Sequence, residues 1–132
     1  MIRTLLLAVA LGGLAVQPSA QAADKGDPPY VHAVIFYLKK DAPADTVEKA
    51  VADSHKLLEK ISTVRKLWVG RPAEKSTPKF AKTDYQLGLL VLFDNYDGLQ
   101  KYIDDPLHVQ FVEKYGKFFD IVNVYDFVNQ QK

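Results

Sequence analysis

Two stretches of this chain carry apolar residues on both of their faces, and strands built that way cannot lie in a sheet covered on one side alone. Tyr30 to Lys39, rich in branched and aromatic residues, reads as the first strand. His32, Val34, Phe36 and Leu38 share one face, while Val31, Ala33, Ile35 and Tyr37 share the other. In Asp84 to Asp94, Tyr85, Leu87, Leu89, Val91 and Phe93 alternate with Gln86, Gly88, Leu90 and Leu92. If helices cover one side, Ile35, Tyr37 and their counterparts form an apolar patch too large for a monomer. Packing two such sheets face to face in a symmetric homodimer buries it. The pattern therefore predicts a partner sheet, most simply a second copy of the chain.

The remaining segments supply the helices. Asp41 and Pro43 open a helix in which Val47, Ala50, Val51, Ser54, Leu57, Leu58 and Ile61 follow one buried stripe. Val64 to Gly70 reads as a second strand, stopped by Gly70 and Pro72, and polar Ala73 to Lys82 with Pro78 reads as a loop. A short helix from about Tyr96 to Asp104 precedes a second that runs from Pro106 to about Phe119, and Ile121 to Val128 forms the last strand. The order is strand, helix, strand, strand, helix pair, strand. This is an α+β, ferredoxin-like arrangement: an antiparallel four-stranded sheet with helices on one face.

The first 22 residues stand apart from this domain. Arg3 provides a positive start, Leu5 to Val16 is apolar, and Ala20-Gln21-Ala22 has the small residues of a cleavage site. The apolar run falls short of the roughly 20 residues a membrane span needs. A lipid anchor would require a cysteine, and the chain has none. The expectation is a signal peptide over 1–22, a flexible leader over 23–29, a domain over 30–128 and a tail over 129–132, secreted or periplasmic, with no membrane insertion after removal of the signal.

A mature chain of about 110 residues can hold one domain with a modest core. It does so without disulfides, so packing must supply its stability. The net charge is +1, and losing Arg3 brings it to zero. A balanced charge with no basic run argues against nucleic acid or an anionic membrane as a partner. No phosphate loop, serine-nucleophile elbow or dinucleotide fingerprint occurs, and no cofactor is implied. No two histidines have ligand spacing on one element, so no metal is expected.

The chemistry concentrates in Tyr102-Ile103-Asp104-Asp105-Pro106-Leu107-His108-Val109-Gln110-Phe111. Asp105 suits an N-cap, and Pro106 suits the first helical position because its missing N–H would be unpaired there. His108 then falls in the first turn, where the helix dipole disfavours imidazolium. A histidine kept neutral can act as a general base, with Tyr102 beside it. The same residues also suit structural roles: His108 capping its helix or bonding the first strand, and Tyr102 filling the helix–sheet interface. His32 either lines a pocket or pairs with a loop carbonyl. His55 reads as a boundary or solvent histidine, and Trp68 as part of a sheet or dimer contact.

Val31 to Lys39, the following helix, Val69-Gly70, Leu89 to Asp94 and above all Tyr102 to Phe111 resemble the stress-responsive A/B barrel (Dabb) domain. The early strand histidine and the Tyr-x-x-x-Pro-x-His-x-x-Phe segment are the specific parts. The resemblance implies a dimeric α+β barrel built from two ferredoxin-like protomers. Many members have no assigned activity; plant relatives include a cofactor-free polyketide cyclase and a hydroxynitrile lyase. In the cyclase, the counterpart of His108 is the base, the counterpart of Tyr102 assists it, and the counterpart of His32 borders the pocket. A further pocket histidine of the cyclase falls at Leu87 here.

Two readings follow. One is an exported, non-catalytic dimeric module that binds a small apolar ligand or another envelope protein. The other is a cofactor-independent lyase or cyclase acting on an apolar carbonyl or polyketide-like compound, with His108, Tyr102 and His32 as catalytic residues. Val34, Phe36, Leu38 and Phe111 are the expected apolar walls in either case. An open, mostly apolar cavity reaching His108 favours the enzyme, whereas a space filled by Phe111, Tyr115 and Phe118 excludes it. For the leader, the expectation is processing after Ala22 in a bacterial host. Intact mass of the exported fraction should show a chain beginning at Ala23; a cytoplasmic product that keeps Arg3 would contradict it.

Overall fold

A computed structural model describes residues 26–77 and 79–130. The expected signal peptide, the first part of the leader, Pro78 and the end of the tail lie outside the described residues. The elements are β1 (Tyr30–Leu38), α1 (Thr46–Lys56), β2 (Lys66–Gly70), β3 (Leu87–Phe93), α2 (Tyr96–Asp104), α3 (Pro106–Tyr115) and β4 (Phe119–Val128). Short 3-10 turns follow α1 at Leu58–Lys60 and α3 at Gly116–Phe118. The four strands form one antiparallel sheet in the order β2-β3-β1-β4. This is the ferredoxin-like protomer that the element order predicts.

The register assigns the two sheet faces. His32, Val34 and Phe36 sit opposite Val91, Leu89 and Leu87 of β3, and opposite Asp126, Val124 and Val122 of β4. The helices cover this face over β3, whose Leu87, Leu89, Val91 and Phe93 are all at most 5 % exposed. They do not reach across β4, where Val122 and Val124 on the same face remain 46 % and 49 % exposed. The opposite face carries no helix. Trp68, Ile121, Tyr125 and Phe127 are exposed there, beside half-buried Ile35, Tyr37, Leu90 and Leu92.

Several boundaries differ from the sequence expectation, each for a local reason. The stripe of α1 continues through Leu57, Leu58 and Ile61, all buried, but the α-helix ends at Lys56. A tighter 3-10 turn lets adjacent Leu57 and Leu58 both face inward while Glu59 and Lys60 stay outside. β3 begins at Leu87, because the Gln86 side chain turns to accept the Leu38 N–H at 2.8 Å. β4 starts at Phe119 and pairs Tyr37 with Ile121 but Leu38 with Phe119, which leaves Asp120 as the extra residue of a bulge.

Helix packing uses one partly buried polar link. The Asp53 carboxylate of α1 accepts from Tyr115 Oη at 2.7 Å and from Lys114 Nζ at 2.5 Å, both on α3. These two donors, the lysine first, hold the Asp53 carboxyl below its ordinary pKa. Tyr115 is thereby drawn toward α1 rather than into the space beside His108. Among the described residues, no helix is long and apolar enough to cross a membrane.

Candidate active site or ligand cavity

The break between α2 and α3 is built as the sequence predicts. The Asp105 carboxylate accepts from Leu107 N at 2.8 Å, and Pro106 opens α3. The turn directs His108 back toward the end of α2, where its Nδ1 lies 3.0 Å from the Ile103 carbonyl oxygen. A carbonyl can only accept, so Nδ1 carries the proton, and Nε2 of the neutral ring is a lone-pair acceptor. The Tyr102 ring lies tilted, with its centroid 4.7 Å from that of His108, and meets His32 edge-on at 6.2 Å.

These three side chains open into a cavity of about 390 Å³. Val34, Phe36, Leu89, Phe111, Phe119, Val122 and Val124 form most of its wall, with Ile103 and Val112 at its helical edge. It is open where β4 is not covered. His108, Tyr102, His32, Val34, Phe36 and Phe111 therefore converge as the sequence suggests. Leu38 does not: it shares the face but lies past the Phe36–Phe119 stack, whose rings are 4.5 Å apart and close that end. The Asp120 bulge causes this, by turning Phe119 rather than Asp120 onto the cavity side. Phe111 lines the space without filling it, and Tyr115 and Phe118 stay out of it.

His32 lines the cavity and pairs with no loop carbonyl. Its Nδ1 lies 2.7 Å from the Asp126 carboxylate, directly across the β1–β4 ladder. Sequence reading passed over Asp126. The available signal was an acid within a mostly apolar strand, at a position that alternation places on the face of Val122 and Val124. Phe119, Val122 and Val124 were passed over as well, because they belong to a strand whose start and bulge the pattern does not reveal.

Burial, the largest influence, lowers the His108 pKa. The Ile103 hydrogen bond opposes it, nearby His32 reinforces it, and Asp105 and Asp104 oppose it weakly. Burial also pushes the Tyr102 hydroxyl well above its ordinary pKa, so it keeps its proton. That hydroxyl makes no hydrogen bond among the described residues, and no buried side-chain nitrogen or oxygen there is sealed away without a partner. The unpartnered atoms of this trio are therefore not sealed from solvent. Chemically, the arrangement is an apolar chamber with two imidazoles and a protonated phenol at one end. Among the described residues no cluster of three potential metal ligands occurs.

Fold and cavity together define a ferredoxin-like α+β protomer with a ligand-sized space between sheet and helices. The chain belongs to the stress-responsive A/B barrel domain family, whose profile matches residues 31–129. A Dabb family protein with a ferredoxin-like fold from Mesorhizobium loti is 25 % identical, with a TM-score of 0.63 over 79 % of this chain and 99 % of that one. A dimeric ferredoxin-like protein of unknown function from Thermobifida fusca is 18 % identical, with a TM-score of 0.66 over 78 % and 92 %. The hydroxynitrile lyase of Passiflora edulis is similar in fold, at 13 % identity and a TM-score of 0.65 over 80 % and 97 %. Among curated proteins, none matches the sequence.

The His108 imidazole should titrate below the ordinary value of about 6.5 when followed by NMR. Because the folded pKa is the lower one, the unfolded chain takes up the proton first. His108 therefore contributes a stability that is complete above about pH 6.5 and is lost as pH falls through the folded value. A measured pKa above about 7 would show that the carboxylates and the Ile103 carbonyl outweigh burial, and would remove His108 as a neutral acceptor.

Proposed function

We propose that this chain is an exported, homodimeric protein that binds a small, mostly apolar ligand in the cavity beside His108. The observation that carries the reading is an open space of about 390 Å³, walled by aliphatic and aromatic side chains, with its polar groups gathered at one end. That size and polarity match sites for small organic molecules. Each methylene buried against Val34, Phe111 and Val124 contributes about 0.8 kcal/mol, so the walls supply affinity and the polar end supplies orientation. Export rests on the leader of residues 1–22. The dimer rests on the bare sheet face with Trp68, Ile121, Tyr125 and Phe127, and on the similarity to the dimeric T. fusca protein.

A second reading is a cofactor-independent enzyme that moves protons on an apolar carbonyl compound. It is favoured by the fixed tautomer and lowered pKa of His108. Here Nε2 would take a proton from carbon or oxygen, and the Tyr102 hydroxyl would hold the developing oxyanion. His32 would hydrogen-bond the same substrate from the sheet. The hydroxynitrile lyase with this fold gives the reaction class a precedent. Loss of turnover in His108→Ala with an unchanged melting temperature would support this reading, while a lowered melting temperature alone would mark a packing residue.

Titration with n-propylbenzene, followed by NMR, tests the cavity. Shifts should concentrate at His32, Tyr102, His108 and Phe111, and Val34→Trp should abolish them by filling the space. No shift at those residues near the solubility limit of the probe would overturn the binding reading. The dimer is tested by sedimentation. Wild type should sediment as a dimer at micromolar concentration, and Ile35→Glu should yield monomer or aggregate by placing a charge in the contact. A monomeric wild type would overturn the assembly.

A further inference from the structure

The polar end of the cavity has an unequal supply of hydrogen-bond donors and acceptors. His108 Nδ1 is committed as a donor to the Ile103 carbonyl, which leaves Nε2 as an acceptor. His32 Nδ1 faces the Asp126 carboxylate at 2.7 Å, and a carboxylate can only accept, so this nitrogen also carries the proton. With one proton on the ring, at Nδ1, Nε2 is a second acceptor. Neither Nε2 has a partner among the described residues, yet no unpartnered side-chain nitrogen there is sealed from solvent. Both rings border the cavity.

Against these two acceptors the protein sets one donor, the Tyr102 hydroxyl. Its ring contacts both imidazoles, and burial keeps the hydroxyl protonated. One proton cannot serve two acceptors at once. The shortfall must be met by whatever fills the cavity, because an acceptor held in an apolar space without a donor is costly.

We propose that the cavity selects ligands whose polar head donates hydrogen bonds, namely phenols, enols or alcohols on an apolar body, over ethers and esters of similar size. This inference rests on the binding reading and assigns its ligand class. It also gives Asp126 a role as a positioning residue. Asp126 touches no ligand itself; it holds the His32 proton on Nδ1 and so keeps Nε2 an acceptor. Without it, the ring is free to place its proton on Nε2 and donate into the cavity instead.

The test compares para-propylphenol with para-propylanisole, its methyl ether, by calorimetric or NMR titration of the full mature chain. The measurement is made at about pH 8, above the ordinary imidazole value of about 6.5. The phenol should bind about tenfold more tightly than the ether, the size expected from satisfying one otherwise unpaired acceptor. Asp126→Ala should reduce that preference while leaving affinity for n-propylbenzene unchanged. A residue that merely braces the strands would lower affinity for all three probes alike. Equal affinity for phenol and ether would overturn the inference and leave the cavity reading standing. Failure of all three probes to bind would overturn both. If Asp126→Ala does not fold, the wild-type ratio of phenol to ether still decides the ligand class.

Discussion

The site depends on a mismatch of widths: the helices cover three strands of a four-stranded sheet. Over β3 the cover is complete, and Leu87, Leu89, Val91 and Phe93 pack into a dry core. Over β1 the cover thins, and over β4 it is missing, so Val122 and Val124 stand in the open. A space between β1, β4 and α3 is the geometric result. Had α3 carried one further apolar turn across β4, the same residues would close over His32 and His108 and leave no site. Instead α3 ends at Tyr115, and Tyr115 is engaged by Asp53 of α1, which pulls the helix end toward the covered side.

The chemistry then comes from where chain direction changes. The Asp105–Pro106 break joins two helices that each contribute one ring, Tyr102 from the end of α2 and His108 from the start of α3. A continuous helix would hold these two side chains six positions apart, away from a common face. The break brings the rings to 4.7 Å and supplies the Ile103 carbonyl that fixes the His108 tautomer. That carbonyl lies in the last turn of α2, where helical carbonyls lack their usual partners. One local feature thus caps α3, occupies a terminal carbonyl of α2 and orients an imidazole.

Much of this was legible because it is written in local pattern. Alternation assigned the faces of β1 and β3, and the Asp-Pro pair located the helix break within the residues that now form it. Apolar content on both strand faces marked the sheet side that the helices leave bare. What stayed hidden depends on pairing between distant segments. Asp126 acquires meaning only through its register with His32, 94 residues away in sequence. The exchange of Leu38 for Phe119 as a wall residue follows from a bulge at Asp120, and alternation read forward from Ile121 cannot show a residue inserted before it. The Tyr102 hydroxyl is a subtler case. Its ring is core, as the pattern indicated, but its oxygen has no partner among the described residues.

β1 connects the two surfaces that matter. Its His32, Val34 and Phe36 build the cavity, while Ala33, Ile35 and Tyr37, one residue away each time, build the bare face. Side chains on opposite faces share one backbone, so a partner sheet against Ile35 would also steady His32 and Val34. The same holds for β4, where Tyr125 and Phe127 flank Asp126 on the other side. As an edge strand hydrogen-bonded to β1 alone, β4 is the least restrained part of the cavity wall. A contact that buries Tyr125 and Phe127 would restrain it from the far side and hold the Asp126 carboxylate at its distance from His32. The apolar face and the polar end of the cavity are therefore linked through two strands of the sheet, and assembly at one bears directly on geometry at the other.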